Sequence, residues 1–393
     1  MKKKVLFLIV ASLASAVLLS LAWPPLPLAP LLFIALVPLL FLEDYHERNR
    51  LSFLSYFAVI YLCLLIWNIS VTFWLYNTTK LGALIIHLIN PIILSVPWLL
   101  YKSVKRKWGL FYGSLCLICS WVSIETLHHN WQLAFPFMTL GNGLSMWPEW
   151  IQFYEYTGVL GGSVWIIVIN ILLFYALRTV DIPGGIYKIS PKRTAIPLAA
   201  LSIPLSISLI IFNTYEHEGQ EVNVLVVHPN TDCRNEKYNV STEVLIDKYL
   251  GLTFEMLNED TDYILWPETA ITNAGWIEDL STNELYVDLS RKLSKFPDVK
   301  LVTGAVLYEL YKPLKGEDIS NAPDIRYAEQ PDLWYYTYNS AIHIDPSTSK
   351  LNFRTKNKLV PMEETIPYAK EFSLLQLIFY LRTLFNKTIV QSN

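Results

Sequence analysis

The chain has 393 residues, of which 53% are hydrophobic and only 17% charged, with a formal net charge of −3. A typical soluble domain carries about 25% charged residues, so this composition excludes a disordered chain, a collagen-like chain and a simple soluble enzyme. No basic block is long enough to follow a nucleic-acid backbone, and four cysteines are too few for a disulfide framework in a chain of this length.

The charge is unevenly spread. Residues 1–213 hold 14 Lys/Arg and 7 Asp/Glu, whereas residues 214–393 hold 17 and 27. The first part therefore reads as a membrane domain and the second as a soluble, acidic one, with the boundary near Thr214. A spanning helix needs about 20 mainly apolar residues. Seven stretches qualify: 5–21, 28–42, 51–68, 81–101, 110–126, 162–178 and 194–212. With the N-terminus in the cytoplasm, the inner segments collect 13 Lys/Arg, including Lys102, Lys105 and Arg178, and the outer loops collect only Lys80. This bias sets the orientation and puts the acidic half on the outer face. Lys2–Lys4 and Ala14-Ser15-Ala16 resemble a secretory signal. The apolar run continues to Ala22, however, which favours a retained helix.

Loop 127–161 is rich in aromatic residues, among them Trp131, Phe135, Phe137, Trp147, Trp150, Phe153, Tyr154 and Tyr156. An interfacial belt is the expected role, with an active-site wall as the alternative. Glu149 and Glu155 read as solvated, and His128 and His129 as interfacial polar residues. Cys116 and Cys119 lie in an apolar helix with no further metal ligands nearby, so packing is expected of them, and of Cys63.

The pattern changes after Glu221. Val222–His228 reads as a buried strand, Val240–Leu257 as a helix and Tyr263–Trp266 as a second strand. Thr282–Leu293 reads as a helix, Val299–Tyr308 as a strand and 312–333 as a loop. Tyr335–Asp345 and Leu351–Lys356 then form a hairpin. This order predicts an α/β layered domain, followed by an apolar helix over 372–385.

Glu268 directly follows the second strand, where open α/β sheets place functional groups. Beside Trp266 and Pro267 it is expected to be partly desolvated, with a raised pKa suited to a general base; a capping carboxylate is the other reading. Lys356 ends the hairpin and precedes Glu363 and Glu364. Alone, it reads as either an oxyanion donor or half of a structural ion pair.

Three motifs act together: Leu265-Trp266-Pro267-Glu268-Thr269, Tyr338-Asn339-Ser340-Ala341, and Lys356-x-x-Leu359-Val360-Pro361-x-x-Glu364. Together they resemble the carbon–nitrogen hydrolase (nitrilase) superfamily, which uses a Glu–Lys–Cys triad. The preceding multi-span half, with Phe135-Pro136-Phe137 and Tyr154-Glu155-Tyr156-Thr157-Gly158, resembles its apolipoprotein N-acyltransferase branch.

The resemblance implies a membrane domain over 1–213 and a nitrilase-like αββα domain over 214–393, incomplete at its C-terminal end. It implies Glu268 as general base, Lys356 as oxyanion stabiliser and Glu364 as accessory carboxylate. It also implies a phospholipid acyl donor, a diacylglyceryl-modified apolipoprotein acceptor, no cofactor and a bacterial inner-membrane location with the soluble domain periplasmic. The nucleophilic cysteine that the resemblance calls for is absent after Cys233, and Cys233 sits in a polar loop unsuited to the role. A C-terminally truncated member, inactive as it stands, is therefore expected. The alternatives are a non-catalytic lipid- or lipoprotein-binding membrane protein with the same pocket and, last, a transporter, since Glu125 alone comes near the interior of a span.

Overall fold

The computed structural model describes residues 2–78, 80–178, 191–232, 236–313, 325–328, 333–348, 351–360 and 368. The expected helix over 372–385 lies outside them. The described chain divides into two compact units, residues 1–217 and 218–360, with Tyr368 counted in the first.

The first unit is helical. α1 covers Lys2–Leu21; a 3-10 turn (Ala29–Leu31) leads into α2 (Leu32–Ala35) and α3 (Val37–Arg48). α4 (Phe53–Thr72), α5 (Leu75–Thr78), α6 (Lys80–Trp108), α7 (Leu110–Asn130), α8 (Tyr154–Leu177) and α9 (Pro191–Thr214) follow. Among the described residues seven helical stretches are long and apolar enough to cross a membrane, in the same seven regions that hydropathy predicts.

The second span is broken at Leu36, just before Val37-Pro38, where proline cannot supply an amide hydrogen. The buried Asn170 on α8 repairs the break. Its side-chain oxygen accepts from Leu36 N at 2.8 Å, and its amide donates to Leu32 O at 2.8 Å. An unpaired backbone group at such depth would cost several kcal/mol.

At the other end of α3, Lys105 is 7% exposed and pairs with Glu43, Asp44 (3.2 Å) and Glu47 (3.0 Å), while Arg178 reaches Asp44 at 3.0 Å. Several of the cations that sequence counts as an inner-face bias are thus also partners in a buried ion network.

The segment between α7 and α8 is a series of 3-10 turns, at Pro136–Met138, Leu140–Leu144 and Pro148–Trp150. The aromatic residues here do not form a simple belt. Phe135 and Phe153 are buried, Phe153 packs edge-on against Trp165, and the Tyr154 hydroxyl donates to Gly141 O at 2.9 Å. Phe137 and Tyr156 stay exposed. His128, expected at the interface, is buried, because it sits three residues beyond Glu125 on the inward face of α7.

The second unit is a layered α/β domain: β1 (Val224–Val226), α10 (Thr242–Met256), β2 (Tyr263–Leu265), α11 (Glu284–Leu293), β3 (Lys300–Tyr311), β4 (Ile325–Ala328), β5 (Leu333–Ile344) and β6 (Leu351–Thr355). β1, β2 and β3 are parallel, as helical crossovers require. β5 runs antiparallel to β3 from Trp334 to Ile344. On its other edge β5 pairs first with β4, at Leu333–Tyr336, and then with β6, at Ser340–Ile344. β4 falls within the segment expected to be a loop. Its Ile-Arg-Tyr-Ala is too short to stand out from flanking Pro, Asp and Asn.

Alternation along the strands sends Ser340, Ile342 and Ile344 into the core beside Leu301, Ala305 and Leu307. Tyr249, Leu250, Leu289 and Leu293 from α10 and α11 complete it. Asn339 and Ala341 therefore face the opposite side.

Candidate active site

β2 does not stop cleanly at Leu265. Trp266 N donates to Val302 O at 2.9 Å, Gly304 N donates to Pro267 O at 3.2 Å, and the ladder resumes where Ile271 N donates to Gly304 O at 3.1 Å. Glu268–Ala270 leave the sheet as an excursion between the last two of these bonds, and Glu268 rides on it. Thr269 adopts the left-handed region at φ +54°, which is costly for a β-branched residue. Strained backbone of this kind collects at functional sites.

Gly304 makes room for the excursion. A Cβ on it would lie 2.3 Å from Thr269 N and 2.6 Å from Glu268 Cα. Lys237 adds a further tie, its ammonium donating to Glu268 O at 3.1 Å.

Lys356 arrives from the far edge. Its backbone N donates to Asn339 O at 2.8 Å, which extends the β5–β6 ladder by one step past Thr355. Its Nζ lies 2.9 Å from Glu268 Oε1, and the Asn339 side-chain amide donates to the same oxygen. Three segments distant in sequence thus meet at one carboxylate oxygen: the end of β2, the middle of β5 and the end of β6.

The electrostatics differ from expectation. Trp266 does not cover Glu268. Its indole is buried against Tyr249 and donates to Thr253 Oγ1 at 3.0 Å. The Glu268 side chain is 62% exposed and that of Lys356 25%. The Lys356 hydrogen bond, then that of Asn339 and the charges of Lys356 and Lys237, hold the Glu268 carboxyl below its ordinary range, against a smaller opposing effect of burial. The group is an ionised proton acceptor at neutral pH, not a desolvated acid.

Of the residues singled out from sequence, Glu268 and Lys356 come together. Glu364 and Cys233 lie outside the described residues. Cys63 is buried, Cys116 half-buried and Cys119 exposed on the helical unit. Sequence assigned no role to Lys237 or Gly304. A glycine inside a β-branched strand does signal close backbone approach, so Gly304 was findable; Lys237 carried no comparable signal.

Comparison with known proteins agrees with these motifs. Residues 15–172 match the family model described as the apolipoprotein N-acyltransferase N-terminal domain. An apolipoprotein N-acyltransferase of Chlorobaculum tepidum is 25% identical over 90% of this chain and 64% of its own length. Those of Rhodopirellula baltica (22% identical) and Geobacter metallireducens (25%) each match 91% of the chain, and 67% and 64% of their own lengths. The chain spans about two thirds of the length of the curated relatives it matches. With seven apolar helices preceding a layered α/β unit, the chain is a multi-pass membrane protein similar in sequence to the apolipoprotein N-acyltransferases.

Proposed function

We propose that these residues form the membrane part and the acid–amine part of an acyltransferase. It moves an acyl chain from a phospholipid to the α-amine of an S-diacylglyceryl-cysteine at the N-terminus of a lipoprotein. The observation that carries this reading is the contact of Glu268 with Lys356 on a strained excursion at the C-terminal end of a parallel strand.

The chemistry is two-step covalent catalysis. Glu268 accepts the proton of a cysteine thiol, and the thiolate attacks the ester carbonyl of the phospholipid. The Lys356 ammonium stabilises the negative charge that builds on the carbonyl oxygen. As the tetrahedral species collapses, the C–O bond breaks. The proton on Glu268 passes to the leaving alkoxide, releasing lysophospholipid and leaving an acyl thioester. The free α-amine then attacks the thioester and gives its proton to Glu268, and the thiolate leaves as the amide forms. Asn339 positions the Glu268 carboxylate throughout, and Glu364 is assigned the accessory carboxylate. Both substrates are lipid-anchored, so the proposed location is the bacterial inner membrane with residues 218–393 on its periplasmic side, as the Lys/Arg bias of the loops supports.

The thiol is the third group this chemistry needs. Cys233 is the single cysteine of residues 218–393 and is not assigned that role. The polypeptide 1–393 by itself is therefore expected to form no acyl thioester.

The test is acyl labelling of the purified gene product with a phospholipid carrying a labelled fatty acid, followed by hydroxylamine release. Where the wild type takes up label, Glu268→Gln and Lys356→Ala are expected to reduce it to background. A wild-type yield in either variant refutes the roles assigned. Hydroxylamine-labile label on the polypeptide 1–393 alone refutes its expected inactivity.

A further inference from the structure

At the Lys/Arg-rich end of the helical unit, α7, α8 and α9 leave a groove between them. Leu110 of α7, Tyr175 and Ala176 of α8, and Ile196 and Pro197 of α9 line it, together with Arg178, the C-cap of α8. Its volume is about 280 Å³. One wall is α9, the least buried of the seven candidate spans.

Two polar side chains enter this lining. The Tyr175 hydroxyl is committed: Ser114 Oγ gives its own proton to Leu110 O at 2.9 Å, so Tyr175 must donate the 3.2 Å bond to Ser114. Arg178 keeps donors in reserve. One guanidinium nitrogen lies 3.0 Å from Asp44 Oδ1, and the group sits 5.9 Å from the centre of the Phe174 ring. A guanidinium carries five N–H donors, and the Arg178 side chain is 31% exposed.

The charge around Arg178 is unbalanced among the described residues. Asp44 is shared by Arg178, Lys105 and Arg48, Glu43 by Lys105 and Lys102, and Glu47 contacts Lys105. Four cations thus meet three carboxylates, one positive charge in excess. Arg106 and Lys107 in the last turn of α6 add to it.

The ends of spanning helices lie at headgroup depth, so an occupant of this groove must be apolar along its length and anionic at its head. A phosphodiester matches the planar fork of an arginine, and basic pockets between spanning helices take acidic headgroups in this way.

We propose that the groove binds one acidic phospholipid, with an acyl chain between α7, α8 and α9 and the phosphodiester on Arg178. A phosphatidylglycerol-type headgroup suits the site, because a zwitterionic one brings its own ammonium into the positive excess. The site belongs to the helical unit and the acid–amine pair to the α/β unit, so the inference does not rest on the acyltransfer reading.

The test is native mass spectrometry of the purified full chain, released from non-ionic detergent micelles that contain equal amounts of dioleoyl phosphatidylglycerol and dioleoyl phosphatidylcholine. One saturable phosphatidylglycerol adduct is expected, bound about three- to tenfold more tightly than phosphatidylcholine. Arg178→Gln should weaken it about tenfold through loss of a charge-assisted contact; Asp44 keeps Lys105 and Arg48, so the fold is expected to survive. Ile196→Trp, at a position 58% exposed, fills the groove, leaves the Arg178–Asp44 pair intact and should weaken the adduct at least as much. Lys107→Met removes an exposed cation outside the lining and should leave binding unchanged.

Equal retention of the two lipids, or undiminished phosphatidylglycerol binding in Arg178→Gln, overturns the proposal. So does an effect of Lys107→Met as large as that of Arg178→Gln, which marks diffuse attraction to a basic surface. Full binding in Ile196→Trp overturns it as well, and that variant decides the matter where Arg178→Gln does not fold.

Discussion

Lys356 and Glu268 are 88 residues apart in the chain, and their side chains meet at 2.9 Å. The intervening chain contributes β3, whose Gly304 leaves space for the Glu268 excursion, and β5, whose Asn339 touches both partners. The pair is a product of sheet register: moving β6 by one residue against β5 would turn Lys356 to the other face.

Loss of either partner is expected to affect chemistry more than folding. In whichever form of the gene product transfers acyl groups, Glu268→Gln should lower the rate by about 10²–10⁴-fold and Lys356→Ala by about 10²–10³-fold. The melting midpoint should change little, since a pair this exposed contributes at most about 1 kcal/mol. A large loss of stability with transfer retained would mark the contact as a structural ion pair.

The pH dependence has a definite sign. The Glu268 carboxyl is held below its ordinary value in the folded state, chiefly by Lys356. Its contribution to stability is therefore present above the unfolded glutamate pKa of about 4.3 and is lost as pH falls through the lower folded value. The small stability difference between wild type and Glu268→Gln should be constant above about pH 5 and shrink in more acidic buffer. Denaturation midpoints measured across pH 3–7 check this; a difference that instead grows towards low pH contradicts it.

Gly304→Ala should displace the excursion that carries Glu268. The added Cβ would meet backbone, at Thr269 N and Glu268 Cα, and backbone cannot step aside as a side-chain end can. A loss of about 1–3 kcal/mol is expected, with transfer reduced beyond what the change in folded fraction explains. Thermal unfolding and labelling on the same preparation separate the two effects.

In the helical unit, Lys105→Met should be severe. Glu43 is fully buried and Asp44 nearly so, and both rely on Lys105. Breaking a buried pair from one side costs about 3–5 kcal/mol. A sharp fall in folded yield is expected, measured by size-exclusion profile in detergent, whereas Lys107→Met, at an exposed position on the same helix end, should be neutral.

Much of this was legible in the chain. The spans announce themselves because lipid demands long apolar runs, and β2, β3 and β5 because sheet strands favour β-branched or aromatic residues; the strand expected to be buried over Val222–His228 is instead the short β1, with Val224 and Val226 exposed. Glu268 and Lys356 were found because they end strands. What escaped depends on contacts that composition does not encode. Asn170 mends a helix break from 134 residues away, β4 borrows its strand character from β5, and Trp266 turns to the core so that Glu268 stays exposed. The lowered Glu268 pKa comes chiefly from the Lys356 hydrogen bond and was not visible in Trp-Pro-Glu.

The proposed chemistry requires the acid–amine pair to sit on the outer side of the membrane, and labelling of reporter cysteines tests this most directly. In a background with the native cysteines replaced by alanine, Glu259→Cys and Arg50→Cys provide exposed reporters on the α/β unit and on the loop after α3. With a membrane-impermeant maleimide, Glu259→Cys is predicted to label in intact spheroplasts and Arg50→Cys only after lysis. Protection of Glu259→Cys until lysis would place the pair inside the cell and contradict the proposed function.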